Sequence, residues 1–243
     1  MADDDRPRVA VFRPDDDRLR HAVALLDSLG AEAVPDPMLA VEPTGATPGT
    51  APHVVFTSKT GAELVAEAGW ERAGAVHAIG PKTADALRTA GYEVDVVPAE
   101  FSSAGLVRAL RDRVAGERVE VARSDHGSPV LLDGLRDAGA DVTETVLYRL
   151  TRPPGAGESA ERAASGDLAG ACFTSSLTVD HFLAAADERG VREAAGAGLA
   201  EGVVGAIGEP TAETARDAGL SVDVVPDDAT FEALARAVVE RCA

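Results

Sequence analysis

Residues 78–98 read AIGPKTADALRTAGYEVDVVP, and residues 206–226 read AIGEPTAETARDAGLSVDVVP. The two stretches lie 128 positions apart and share one plan: an apolar strand, a glycine turn, a short helix closed by glycine, then a second strand. The helix is expected to start after Thr83 and Thr211, whose hydroxyls suit an N-cap. It is expected to end at Gly91 and Gly219, because glycine tolerates the left-handed conformation of the position after a helix. Asp85 and Glu213 then fall in the first turn, where the helix dipole favours a carboxylate. A self-similarity of this kind marks one supersecondary unit used twice.

Two weaker echoes extend the repeat. Val54-Val55-Phe56-Thr57-Ser58 matches Ala171-Cys172-Phe173-Thr174-Ser175, in each case a strand running into a serine-bearing turn and a helix. Val9 to Val34 parallels Val119 to Val142 in the order strand, polar loop, helix, strand. Strands alternating with short helices build βαβ units and a parallel sheet. The fold class expected is therefore α/β, with two similar parallel-sheet domains. The elements of one copy run in order over 50–143. Those of the other are split between 1–36 and 165–243, so the first domain is expected to be discontinuous. Residues 37–49 and 144–164 are left as linkers, the first rich in Pro, Gly and Thr, the second containing Pro153-Pro154-Gly155.

Composition narrows the function classes. The chain has 243 residues, 45% of them hydrophobic, enough to build packed cores. Aromatics are only 4%, so those cores rest on Val, Leu and Ala. A net charge of −18 would repel nucleic acid and anionic lipid, and neither is expected as a partner. Lys59 and Lys82 are the only lysines. An acidic, lysine-poor surface is what a protein working in high salt would carry, where screening shortens charge repulsion; an acidic bias of the coding sequence is the alternative. The start, Met-Ala-Asp-Asp-Asp-Arg, has neither the basic nor the apolar part of a signal peptide, and no apolar run approaches the roughly 18 residues that span a membrane. A cytoplasmic monomer is expected. Cys172 reads as a buried thiol and Cys242 as a residue near the end, with no disulfide framework.

In open parallel sheets ligands bind beyond the carboxyl ends of the strands. Those ends carry Arg13, Ser58-Lys59, Gly80 with Lys82 and Thr83, Arg123, Ser175-Ser176, and Gly208 with Thr211; Ser102 follows the first copy of the repeat. Most of these loops open a helix, whose unpaired N–H groups favour a carboxylate or phosphate. An anionic small molecule held by a two-lobed protein is the expected ligand. Each hydroxyl also has a plainer reading: Ser58, Ser176, Thr83 and Thr211 can be helix caps and nothing more. No GxGxxG or Walker sequence occurs, so no nucleotide cofactor is expected. No GxSxG turn marks a hydrolase. His21, His53, His77, His126 and His181 lack metal-ligand spacing and read as surface residues, so no metal is expected. The runs Asp3–Asp5 and Asp15–Asp17 read as solvated faces.

A strand ending in FTS before a helix, the AIGPKTADALRTAGYEVDVVP unit, a Gly139-Ala140-x-Val142-x-Glu144-x-x-x-Tyr148 crossing, and a second FTS with AIGxxTA together resemble the uroporphyrinogen-III synthase family. The resemblance runs from Val9 to about Val238, and its specificity lies in the order and spacing of short motifs. It implies two flavodoxin-like or HemD-like α/β domains joined by a two-stranded linker. It implies hydroxymethylbilane, a linear tetrapyrrole with eight carboxylates, as substrate, and no cofactor. The reaction would expel the terminal hydroxyl, invert the last pyrrole ring through azafulvene and spiro intermediates, and close the macrocycle. Tyr148 matches the linker tyrosine and would donate to, or orient, the leaving hydroxyl. Thr211, Ser58 and Ser175 match residues that would hold substrate carboxylates. Arg13, Lys59, Lys82, Arg123 and Arg149 would supply positive charge to an eightfold anion. Two departures stand out: Glu209 places an acid in one such loop, and Gly127-Ser128-Pro129 stands where many relatives have Gly-Arg-Glu. The rival readings are a non-catalytic binding module of the same fold and, further off, a flavodoxin-like or receiver-like protein. Trp70, the only tryptophan, is thin provision for a flavin.

Overall fold

The computed structural model describes residues 6–242. The acidic run Asp3–Asp5 lies outside the described residues. In chain order the elements are β1 (Arg8–Phe12), α1 (Asp17–Ser28), β2 (Glu32–Pro35), β3 (Ala40–Pro43), β4 (His53–Phe56), α2 (Lys59–Glu67), β5 (Ala75–Ala78), α3 (Pro81–Thr89), α4 (Ser103–Val114), β6 (Arg118–Ser124), α5 (Pro129–Asp137), β7 (Asp141–Thr151), α6 (Glu158–Ala164), β8 (Gly170–Phe173), α7 (Ser176–Glu188), α8 (Arg192–Ala200), β9 (Val203–Ala206), α9 (Glu209–Asp217) and α10 (Phe231–Cys242). The chain divides into two compact units: the residues up to Ala40 with those from Thr151 onward, and Val41–Leu150.

The first unit is built on a sheet of order β2-β1-β8-β9, with every pairing parallel. Side chains alternate across it, as period 2 requires. Ala10, Phe12, Ala171 and Phe173 face a core shared with α7, α8 and α9; Val9, Val11 and Cys172 face one shared with α1 and α10. Phe12, Phe173 and Phe182 form the aromatic centre, with Phe12 and Phe173 stacked at 4.7 Å. Cys172 is buried and free, its thiol pushed up beyond the normal range by burial.

The second unit has the order β3-β7-β6-β4-β5, parallel from β7 through β5. One face packs on α2 and α3 through Val54, Phe56, Ala62, Leu87 and Trp70; the other packs on α4 and α5 through Val55, Leu106, Val121 and Leu135. The strand β4 pairs β5 and β6 in the register in which β8 pairs β9 and β1. Sheet positions therefore correspond one to one: Phe56 with Phe173, His53 with Gly170, His77 with Gly205, Arg123 with Arg13.

Three expectations need correction. The helices of the repeat start earlier than expected: Gly80 and Gly208 are the N-caps, with Pro81 and Pro210 inside the first turn. Proline's fixed φ suits that turn, so Thr83 and Thr211 become its third residues, buried against the unit rather than capping. Asp85 and Glu213 fall past the first turn, where α9 carries Glu209 and α3 carries no acid. The Gly91 and Gly219 ends are as expected, with φ of +89° and +88°. The second strand of the repeat is a single parallel bridge, His77 to Val96 and Gly205 to Val224. There the Asp95 and Asp223 carboxylates each take a strand N–H, from Val76 and Val204 at 2.8 Å, in place of a longer main-chain ladder.

The stretches expected to link the domains hold regular elements. Strand β3 lies beside β7 at a sheet edge, β7 is 11 residues long, and α6 packs against α8. The buried Asp36 carboxylate fixes the approach to α6 by accepting the N–H groups of Gly157 and Ser159, both at 2.9 Å. Among the described residues no helix is long and apolar enough to cross a membrane.

Candidate functional site

In the second unit the carboxyl end of the sheet is organised around a break in β7. Pairing with β6 runs regularly to Arg123 and Val146, then slips so that Ser124 faces Tyr148. Leu147 is the extra residue, and the slip turns both Leu147 and Tyr148 toward the α2/α3 face, where regular alternation would have sent Tyr148 to the other side. Thr44 closes the bulge: its N–H and hydroxyl both reach the Leu147 carbonyl at 3.0 Å, and the hydroxyl also lies 2.7 Å from that of Val146. From the opposite side Asp125 donates its N–H to the Tyr148 carbonyl and accepts the Leu150 N–H at 3.0 Å.

So held, the buried Tyr148 donates its hydroxyl to Ser58 Oγ at 3.0 Å. Ser58 is the N-cap of α2 and also accepts the Gly61 N–H at 2.9 Å. Both lone pairs of the serine are then occupied, and its own O–H is the part left to donate outward. Gly61 packs close under Leu147: a Cβ there would lie 3.0 Å from Leu147 Cδ1 and 3.1 Å from Ser58 Oγ, while Tyr148 Cε1 would be 3.9 Å away, in ordinary contact.

Among the other expected site residues, Ser102 and Ser175 are likewise N-caps, of α4 and α7, accepting the N–H groups of Gly105 at 3.0 Å and Thr178 at 3.3 Å. Ser176 is no cap: it donates to the Pro210 carbonyl at 3.1 Å and accepts from Thr214, so it ties the α7 and α9 starts together. Gly80 and Gly208 head helices with no side-chain cap. Lys59 is exposed and paired with Glu63 at 3.0 Å; Lys82 and Arg149 are also exposed.

The two arginines have parted company. Arg123 is buried, with Nε on Glu144 at 2.5 Å and Nη1 on the Ser128 carbonyl at 2.7 Å, on the α4/α5 side of the sheet. It is a structural clamp for the turn at Gly127, and the expectation that it meets a ligand is not supported by this placement. Arg13 is half-buried over the Phe231 ring at 4.9 Å. Burial, then the nearby Arg18, lowers its pKa against a smaller opposing pull from Asp16. A cation held so is one that an incoming carboxylate would stabilise.

Not all histidines are on the surface. His77 is buried and hydrogen-bonded to His53 at 3.0 Å, on the face of the sheet that Val55 shares with α4 and α5, opposite Tyr148. Gly61 and Asp125 lie in strand-end loops that the sequence already marks, but their roles, and that of Thr44, come from a bulge that no residue pattern announces.

The comparisons agree on one family. A model of uroporphyrinogen-III synthase HemD matches residues 20–236. A provisionally named uroporphyrinogen-III synthase of Methanothermobacter thermautotrophicus is 29% identical over 199 residues, covering 74% of this chain and 78% of that one. A similarly named protein of Archaeoglobus fulgidus is 29% identical over 180 residues, 73% of this chain and 74% of its own. In fold, the chain resembles a mutant uroporphyrinogen III synthase of the extreme thermophile Thermus thermophilus, with a TM-score of 0.66 at 20% identity, covering 97% and 98% of the two chains. It also resembles the Helicobacter pylori enzyme, with a TM-score of 0.63 at 14% identity over 97% and 99%. By the span of the family match, set on this two-unit parallel α/β frame, the chain belongs to the uroporphyrinogen-III synthase family.

Proposed function

We infer that this chain performs the family's reaction: it dehydrates hydroxymethylbilane and closes the ring with the last pyrrole inverted, giving uroporphyrinogen III and water. The observation that carries the residue assignment is the Tyr148–Ser58 hydroxyl pair at the carboxyl end of the second sheet. The terminal hydroxyl of the bilane leaves as water only with a proton, so a neutral O–H donor at that point helps its departure. Tyr148 is that donor, and Ser58 holds the phenol in place until the substrate hydroxyl takes over as acceptor.

Each unit offers carboxylates a helix start of its own, α3 headed by Gly80 in the second and α9 headed by Gly208 in the first, both without a side-chain cap and with Thr83 and Thr211 as third residues of the turn. In the first unit Arg13 offers a cation to which, among the described residues, no carboxylate is hydrogen-bonded. The bilane cyclises unaided to the uninverted isomer. The chief task is therefore to fold the substrate so that the inverted closure wins, which is catalysis by orientation. The working form is a cytoplasmic monomer acting on this small molecule, with neither nucleic acid nor membrane as partner.

The test is product isomer analysis of the protein supplied with hydroxymethylbilane in molar potassium chloride. Predominant isomer III is expected. Tyr148→Phe should lower kcat by roughly a hundredfold, the lower end of what a positioned acid contributes, and shift the product toward isomer I. Isomer I alone from folded wild-type protein would remove the catalytic reading in favour of a binding module.

A further inference from the structure

Of the six phenylalanines, five are buried, and Phe101 stands alone with 61% of its surface exposed. It sits in the loop before α4, at the carboxyl end of the sheet, where the bridge at Val96 has just brought the chain up beside β5. The ring lies along the bare backbone of Gly80. A Cβ on that glycine would be 3.4 Å from Phe101 Cβ and 3.6 Å from Cγ. The residues on either side are tied down. Ser102 donates to the Glu100 carboxylate at 2.7 Å and caps α4, and Arg108 pairs with Glu100. The ring is thus presented on a fixed loop.

The other copy of the repeat shows that the fold does not need it. The equivalent loop makes the same turn, Thr230 N–H to Asp228 carbonyl at 2.7 Å against Ser102 to Glu100 at 2.9 Å, and Thr230 caps its helix start as Ser102 does. The residue at the position of Phe101 is Ala229. The unit's own packing therefore does not require the ring, which is held on a fixed loop beside the start of α3.

We propose that Phe101 contacts the substrate: one pyrrole of the bilane stacks on its exposed face, which sets that ring's carboxylates toward the N–H groups that open α3 beside Gly80. This rests on the synthase reading above. Pyrrole on phenyl is an offset stack between two apolar faces, and the charged arms leave the ring edge where the helix start can receive them.

The experiment compares Phe101→Ala, Phe101→Leu and Phe101→Trp with wild type in the isomer-resolved assay with hydroxymethylbilane. Loss of the ring should raise KM about tenfold, in line with stacking plus lost apolar contact. Thermal unfolding should stay within about 2 °C, as expected for a surface change. Leucine should leave KM raised several-fold, whereas tryptophan should restore it to within about twofold of wild type. A KM for Phe101→Ala within twofold of wild type, or full recovery with leucine, would overturn the proposal while leaving the synthase intact. No isomer III from the wild type would overturn the reading beneath it as well.

Discussion

Gly61 and Thr178 occupy one position in the two units, third in the helix that follows the FTS strand end. In the first unit Thr178 completes a reciprocal cap with Ser175, each side chain taking or giving a hydrogen bond to the other's backbone. In the second unit the glycine supplies no such side chain, and Ser58 instead accepts the Tyr148 hydroxyl. The arginine pair diverges too. Arg123 is locked to Glu144, while the residue opposite Arg13's strand is Pro35, and Arg13 rests on Phe231 instead. One scaffold thus carries a hydroxyl pair in one copy and a cation resting on an aromatic ring in the other. Duplicated frames differ at the strand ends because those side chains are not needed to hold the sheet.

The sheet faces that meet α4 and α10 differ as well, and there the largest effect is expected. The second unit has His53 and His77 where the first has Gly170 and Gly205. The His77 pKa is lowered to about 4, mainly by burial and then by His53, with Arg113 of α4 and Arg72 pushing the same way and Asp95 opposing. The folded state therefore resists a proton that the unfolded chain accepts near 6.5. Above that pH His77 costs nothing. As pH falls from about 6.5 toward 4 the unfolded chain gains the proton alone, and stability falls by up to about 3 kcal/mol. Denaturation followed by Trp70 fluorescence, a reporter inside the second unit, should show this loss in wild type and a shallower acid limb in His77→Leu. Parallel limbs would assign the acid sensitivity to other groups.

A somewhat smaller effect separates the arginines. Arg123→Ala removes a buried cation from Glu144 and from the Ser128 carbonyl. About 2 kcal/mol should be lost, less than for a fully buried pair because the Glu144 side chain keeps 31% of its exposure. Arg13→Ala forfeits one cation–π contact, about 0.5–1 kcal/mol, but should raise KM for hydroxymethylbilane. Equal destabilisation by the two, or a KM change confined to Arg123→Ala, would reverse the roles assigned here.

The repeat made the fold legible: two copies of AIGxxTA, each closed by a glycine at positive φ, imply two parallel α/β units with the first one split. What could not be read depends on partners distant in the chain. Glu144 reaches Arg123 from a neighbouring strand, and the slip at Leu147 that turns Tyr148 toward Ser58 leaves no mark in the pattern of apolar residues. The helix starts are legible too, since a proline just after Gly80 and near Gly208 already sets them. Within 144–164, Pro153-Pro154-Gly155 marks a break in the chain, while the residues before it complete β7.

The smallest effect concerns how closely a helix can approach each sheet. In the first unit α10 lies directly on Gly170 and Gly205. A Cβ on Gly205 would stand 2.5 Å from Val238 Cγ2 and 2.7 Å from Leu234 Cδ1, both side chains fully buried. In the second unit the same positions hold two imidazoles, so α4 must stand further from the strands. Gly205→Ala tests whether that closeness is fixed by the glycines. The added methyl stiffens the unfolded chain, worth about 0.4–1 kcal/mol in favour of folding. Crowding a packed core costs about 1–3 kcal/mol, and Val238, branched at Cβ, has little freedom to turn away. The net should be a loss of about 1 kcal/mol, seen calorimetrically as a fall of a few degrees and as faster amide exchange in β9. An unchanged or raised midpoint would mean that α10 can move outward as α4 does, and that the glycines record the history of the repeat rather than a packing requirement.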